Sequence, residues 1–143
     1  MGKIGLTRAS VAAMVCAFLL ACGQRAPVMD PGMASSLEAL KSAVSAQTGY
    51  PAAAIDILAG PAHMRISLSD QQLAQADQAT REHVASAVVA AVEPLMASDP
   101  RLTTMQEISV AIVHPADAAG GGHTEDVISF RKGPNQRYTP HVT

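Results

Sequence analysis

The N-terminal 21 residues limit most strongly what the chain can fold into, because their pattern is typical of a segment that is not part of the folded domain. Lys3 and Arg8 supply positive charge, and residues 11–21 form an uninterrupted apolar run. As a helix this run would rise about 16 Å, roughly half of the ~30 Å hydrocarbon core of a bilayer. A positive end followed by a short apolar core is the pattern of an export signal. We therefore predict that residues 1–21 are a signal peptide.

The apolar run ends in Leu19, Leu20 and Ala21, and Cys22 and Gly23 follow. This stretch resembles the lipobox of bacterial lipoprotein signals, in which a leucine and two small or aliphatic residues precede a cysteine. The resemblance implies cleavage before Cys22, a diacylglycerol thioether on its thiol and, often, acylation of the freed amine. Two or more acyl chains give a stable membrane anchor, whereas one gives reversible binding. The alternative is an ordinary cleavable signal with a chance cysteine.

Charge and cysteine usage are consistent with an exported, lipid-held protein. Without residues 1–21 the chain has one cysteine, so we expect no intrachain disulfide. Its net charge of −4 disfavours a nucleic-acid surface and adhesion to anionic lipid, both of which need clustered Lys and Arg. In the family that the lipobox resembles, an aspartate after the cysteine favours inner-membrane retention in enterobacteria. Gly23 and Gln24 lack that signal, so we predict the periplasmic face of the outer membrane.

Composition divides the rest of the chain into three parts. Residues 22–34 contain two prolines, two glycines and no periodicity, which predicts a lipidated cysteine followed by a flexible tether. Residues 35–132 carry the helical and strand patterns and should form one domain. Residues 133–143, with two more prolines and little apolar content, predict a disordered tail.

Two capping-box spacings predict two helices. Ser35 with Glu38 indicates a helix over residues 36–48, and Ser69 with Gln72 indicates a longer one over residues 70–97. The apolar stripe of the second helix has Val88 near its middle. Pro94 predicts a kink or break, because proline removes a backbone donor and clashes with the preceding turn. The weakly apolar residues 70–78 are expected to overhang the sheet.

Four short segments are predicted to be strands. Residues 62–69 alternate cleanly, with His63, Arg65 and Ser67 on the polar face. A short strand around Ile55 and Ile57 precedes them, one centred on Val110 and Ile112 follows, and residues 127–131 form the last. The order αββαββ predicts an α+β two-layer sandwich with a four-stranded, mainly antiparallel sheet and both helices on one face.

The first five elements are similar in topology to the small envelope domains called BON and to ring-building modules of secretion systems. The glycine-flanked strand signature expected of BON domains is absent, and Gly60 with Pro61 is a poor substitute. The resemblance therefore implies a fold and carries over no functional residues.

Catalytic signatures are missing from the sequence, which has no P-loop, dinucleotide-binding glycines, paired-cysteine spacing, HExxH or GxSxG. We predict no enzyme activity and no cofactor. One group, His114, Asp117, His123 and Glu125, flanks a glycine-rich loop and has side chains that suit zinc or copper. A loop rich in glycine holds ligands poorly, and polar loop residues are common for solvation alone. We therefore predict no metal site.

The predicted function is that of a lipid-anchored, non-enzymatic envelope protein attached to the membrane through Cys22. Its partner would be another envelope protein or the cell wall, bound through an exposed sheet edge or the start of the long helix. The alternative is a metal-binding or enzymatic domain that uses residues 114–125.

Overall fold

The computed structural model describes residues 30–114 and 124–141. They form three α-helices, a 3-10 turn at Ala52–Ala54 and one five-stranded sheet. In chain order the elements are α1 (Pro31–Thr48), β1 (Ile55–Ala59), β2 (His63–Leu68), α2 (Gln71–Gln75), α3 (Gln78–Ser98), β3 (Glu107–Val113), β4 (Glu125–Lys132) and β5 (Tyr138–His141). Within these two ranges, no helix has the length and apolar character needed to cross a membrane.

The five strands lie in the sheet in their sequence order. Strands β2 and β3 are parallel, because α2 and α3 carry the chain back to the end of the sheet where β2 began, and the other three pairings are antiparallel. The α+β class and the mainly antiparallel sheet are thus confirmed. The predicted counts of four strands and two helices are wrong, since the structure adds β5 and divides the long helix.

One apolar core joins the helices to a single face of the sheet. Alternate residues of β2 and β3 point into it, as their sequence pattern predicts, and Val88 and Ile112 are fully buried. Leu40 and Val44 of α1 and Val92 of α3 complete the helical side of this core. Burial of this apolar surface is the main force holding the two layers together.

Helix α1 begins earlier than the capping box predicts. Asp30 is its N-cap and accepts a hydrogen bond from the Gly32 amide at 3.2 Å, and Pro31 occupies the first turn, where its missing N–H costs nothing. The Ser35 hydroxyl instead bonds the Pro31 carbonyl. Residues 31–34 therefore belong to the helix and not to the predicted tether. The helix ends as expected, with Gly49 in the left-handed conformation at φ 78°.

The predicted long helix is two helices, separated at Ala76 and Asp77. Asp70, and not Ser69, caps α2, while Asp77 caps α3 by accepting from the Thr80 amide at 2.7 Å. Hydrogen bonding to Thr80 lowers the pKa of the Asp77 carboxyl below its ordinary value. The expected overhang is also wrong, because Leu73 of α2 is buried in the core. The break lies here and not at Pro94, since α3 continues past that proline to Ser98.

Strand β5 lies within the predicted tail and corrects that prediction. The Tyr138 amide donates to Glu93 Oε1 on α3 at 2.7 Å, and the Tyr138 hydroxyl donates to the Met105 carbonyl at 2.8 Å. Burial of the ring raises the pKa of Tyr138, and the nearby Glu93 carboxylate adds to the rise. These two contacts, together with pairing to β4, hold the strand in place.

Candidate functional site

The two described residues of the predicted metal group lie on opposite faces of the sheet. The β3–β4 register pairs Val113 with Glu125, and successive strand residues alternate between faces, so His114 and Glu125 diverge. His114 Nε2 donates to Asp126 at 2.8 Å on the helix side. Glu125 forms an ion pair with Arg65 on the other side. Asp117 and His123 lie outside the described residues.

Arg81 of α3 also pairs with Asp126, so one carboxylate is shared by a guanidinium and an imidazole. A guanidinium in this position competes with any metal cation for the carboxylate oxygens. In the part of the chain that the structure describes, no three His, Cys, Asp or Glu side chains are grouped to hold a metal ion. Arg81, His114 and Asp126 instead form an ion-pair cluster that links the start of α3 to β4.

We expect zinc and copper to leave the melting temperature of the full-length chain unchanged. A metal that bound only the folded form would add about 2.7 kcal/mol at a hundred times its dissociation constant. Thermal melts of the wild type and of a His114→Ala, His123→Ala double variant, with and without each metal, make the comparison. A rise that is lost in the double variant and at about pH 5, where imidazoles are protonated, would establish the metal-binding alternative.

The face of the sheet opposite the helices carries a connected row of polar groups. His63 Nε2 lies 2.8 Å from the Ser109 hydroxyl, which lies 3.4 Å from the Ser129 hydroxyl. The Arg65–Glu125 pair joins β2 to β4 across β3. His63 and Arg65 share this face as predicted, and each contacts a side chain of another strand.

The His63–Ser109 pair has the spacing of a base and a nucleophile. Ser109 is only 5% exposed, so its hydroxyl offers little access to a substrate. The Ser109 hydroxyl lies within hydrogen-bonding distance of both His63 and Ser129. These partners satisfy the hydrogen-bonding needs of this buried hydroxyl. We therefore interpret the row as a structural network. Ser109 could not be singled out from the sequence, because an isolated serine in an alternating strand is typical of a solvated face.

A cleft of about 510 Å³ lies between α3 and the β4–β5 end of the sheet. Ile128, Phe130 and Pro140 supply apolar lining, and the α3 side carries Glu82 and His83. Glu82 and His83 are both exposed. An apolar floor with a few polar groups is the usual character of a binding pocket. The sequence could not predict this cleft, because one side of it depends on β5.

Comparison with known proteins adds no relative from which a site could be transferred. No family model, curated protein or solved structure matches the chain. A function is therefore argued from the sequence signal at residues 1–22 and from the geometry of the cleft.

Proposed function

We propose that this chain is a lipid-anchored envelope protein, held in the membrane by acylated Cys22 with its folded domain in the periplasm. The observation that carries the proposal is Leu19-Leu20-Ala21-Cys22, placed directly at the end of a short apolar run behind a positive N-terminus. The outer membrane is the proposed location, because the residues after Cys22 lack the aspartate that the lipoprotein resemblance associates with inner-membrane retention.

The domain itself is proposed to be a non-enzymatic binding or structural module. A catalytic site needs an acid, a base or a nucleophile that converge on open space. In the described ranges several polar side chains are paired with one another. Among these pairs are His63 with Ser109, Arg65 with Glu125, Arg81 and His114 with Asp126, and Ser36 with Asp99. Their mutual pairing supports a scaffold role better than a catalytic one.

The cleft is the proposed binding surface, and it lies far from the start of α1, where the proposed tether would join the domain. Asp30 follows Cys22 by eight residues, which reach at most about 29 Å when extended. Ser36 near the start of α1 bonds Asp99 just after α3, so the anchored end of the domain is the C-terminal end of α3. The cleft is lined by Gln78 at the opposite end of that helix, about 31 Å away at 1.5 Å per residue.

This placement favours a partner that approaches from the periplasm. A surface about 30 Å along α3 from the tether is open to another envelope protein or to the cell wall, while the lipid keeps the domain near the bilayer. Binding there would use an apolar floor for affinity and the α3 polar groups for specificity.

Metabolic labelling with a palmitate analogue tests the anchor. We expect the wild type to be labelled and to fractionate with membranes, and Cys22→Ser to lose the label and leave the membrane fraction. Cys16→Ser is the matched control, because Cys16 lies inside the segment that cleavage removes, and it should be labelled like the wild type. An unlabelled, soluble wild type, or a label that persists in Cys22→Ser, would contradict the proposal.

A further inference from the structure

The two outer edges of the sheet differ in how their backbone groups are used. At the two ends of β1, Gly60 N–H bonds the His63 carbonyl and Ser69 N–H bonds the Ala54 carbonyl. These bonds determine which β1 residues direct their backbone N–H and C=O groups toward β2. In an antiparallel pair the residues alternate between bonding the partner and pointing away from it. The backbone groups of Ile57 and Ala59 therefore point outward from the sheet.

The opposite edge is blocked where β5 forms it, beside residues 129–132 of β4. The Gly133 amide bonds the Arg137 carbonyl, which places the N–H positions of Tyr138 and Pro140 on the outer side by the same alternation. Tyr138 N–H is already bonded to Glu93 Oε1, and proline has no N–H to offer. Both outward donor positions of β5 are thus closed to another strand, as is common for protected edges.

The edge of β1 has no such protection among residues 30–114 and 124–141. Ile55 N–H is bonded to the Ala52 carbonyl, but no described strand or side chain bonds the outward N–H of Ile57 or Ala59. The strand contains no lysine or proline, the residues that most often discourage edge pairing, and Asp56 is its one charged residue. Leu58, between the two free donors, is 58% exposed.

We propose that a second copy of this chain pairs with β1 in antiparallel register about a two-fold axis at Leu58. Leu58 of one copy then lies opposite Leu58 of the other, and Ile57 lies opposite Ala59. Each of these Ile57–Ala59 pairs exchanges two hydrogen bonds, so both free donors of each copy are used. The exposed leucines meet at the centre of the interface.

Both backbone and side chains select this register. A two-fold axis at Ile57 would require the Ile55 N–H, which Ala52 already occupies, and would place Asp56 opposite Leu58. The axis at Leu58 places Asp56 opposite Gly60. It also separates the two Asp56 carboxylates by four positions, about 13 Å along the strands.

The pairing goes beyond the proposed function and does not depend on lipid attachment. It joins two five-stranded sheets into one of ten strands. Because β1 and β5 are at opposite edges of each sheet, the cleft beside β4 and β5 stays open in both copies. The dimer therefore presents two equivalent clefts.

Disulfide trapping tests the register. The full-length chain carries Cys16→Ser and Cys22→Ser, so an introduced cysteine is its only thiol. This holds whether or not Cys22 is normally acylated. We expect Leu58→Cys to give a covalent dimer on mild oxidation, because directly opposed residues approach within disulfide range. Asp56→Cys, exposed on the same face of the same strand, is the control and should stay monomeric. No Leu58→Cys crosslink, or equal crosslinking of both variants, would overturn the proposal.

Adding Ala59→Pro to Leu58→Cys tests the hydrogen bonds. It removes an outward N–H and leaves the bonds between β1 and β2 in place, so the crosslink should be lost while the circular dichroism spectrum is retained. A crosslink that survives Ala59→Pro would contradict the pairing. If Ala59→Pro unfolds the protein, the dimer is tested by the molar mass of the same full-length chain without introduced cysteines, measured by light scattering. Twice the chain mass supports the dimer, and a monomer mass overturns it.

Discussion

Ile112→Ala is expected to lower the free energy of unfolding by about 2–5 kcal/mol, the cost of removing a large aliphatic side chain from a packed core. Ile112 is 0% exposed and lies in β3, the central strand of the sheet, next to Leu68 of β2. A close-packed site relaxes only partly around the missing atoms, so a cavity penalty adds to the lost burial. Chemical denaturation monitored by circular dichroism measures the change.

Gln78→Ala is the surface control for this experiment and should cost less than ~0.5 kcal/mol. Gln78 is exposed at the start of α3, and among the described residues its side chain bonds only the exposed Glu82. If Gln78→Ala lowered the denaturation midpoint more than Ile112→Ala, the assignment of buried and exposed faces would be wrong.

Phe130→Ala is expected to cost about 3–5 kcal/mol, the range for truncating a buried aromatic residue. Phe130 is the largest fully enclosed side chain of β4, at 2% exposure, and lies between Ile108 of β3 and Pro140 of β5 in the register. Phe130 also lines the cleft. The variant should therefore lose both stability and the shape of the proposed binding surface.

Val127→Ala is the matched control, because Val127 lies on the same strand but on the opposite face and is 50% exposed. Its cost should stay within about 0.5 kcal/mol of zero. Thermal and denaturant unfolding of the two variants side by side make the comparison. Equal destabilisation by both changes would show that β4 does not present the face described here to the core.

Local patterns predicted the centre of the fold well. The alternation around Met64 and Ile66, and around Val110 and Ile112, gave the faces of β2 and β3 because a strand repeats every two residues and one face is buried. The end of α1 was also predicted, since Gly49 provides the left-handed residue that stops a helix. These features depend on neighbours in sequence.

The features that sequence reasoning missed depend on contacts between distant residues or on competing caps. Strand β5 forms because Tyr138 reaches Glu93 and Met105, and its proline argues against a strand when read alone. The apolar periodicity continued across Ala76 and concealed the N-cap role of Asp77. At α1, the helix start was predicted from the capping-box spacing at Ser35, whereas Asp30 followed by Pro31 begins the helix.

The candidate site was less predictable than the core. His114 and Glu125 are eleven positions apart, and only the β3–β4 register shows that they diverge to opposite faces. The cleft could not be anticipated without β5, which provides Pro140 on one side. The membrane anchor, by contrast, is a contiguous sequence signal that needs no tertiary contact.

Mass spectrometry of the mature chain purified from membranes tests the central claim most directly. We expect residues 1–21 to be absent, the first residue to be Cys22, and the N-terminal peptide to carry the added mass of a diacylglycerol group. A mature chain that begins at another residue, or one that begins at Cys22 with a free thiol, would contradict the lipid anchor.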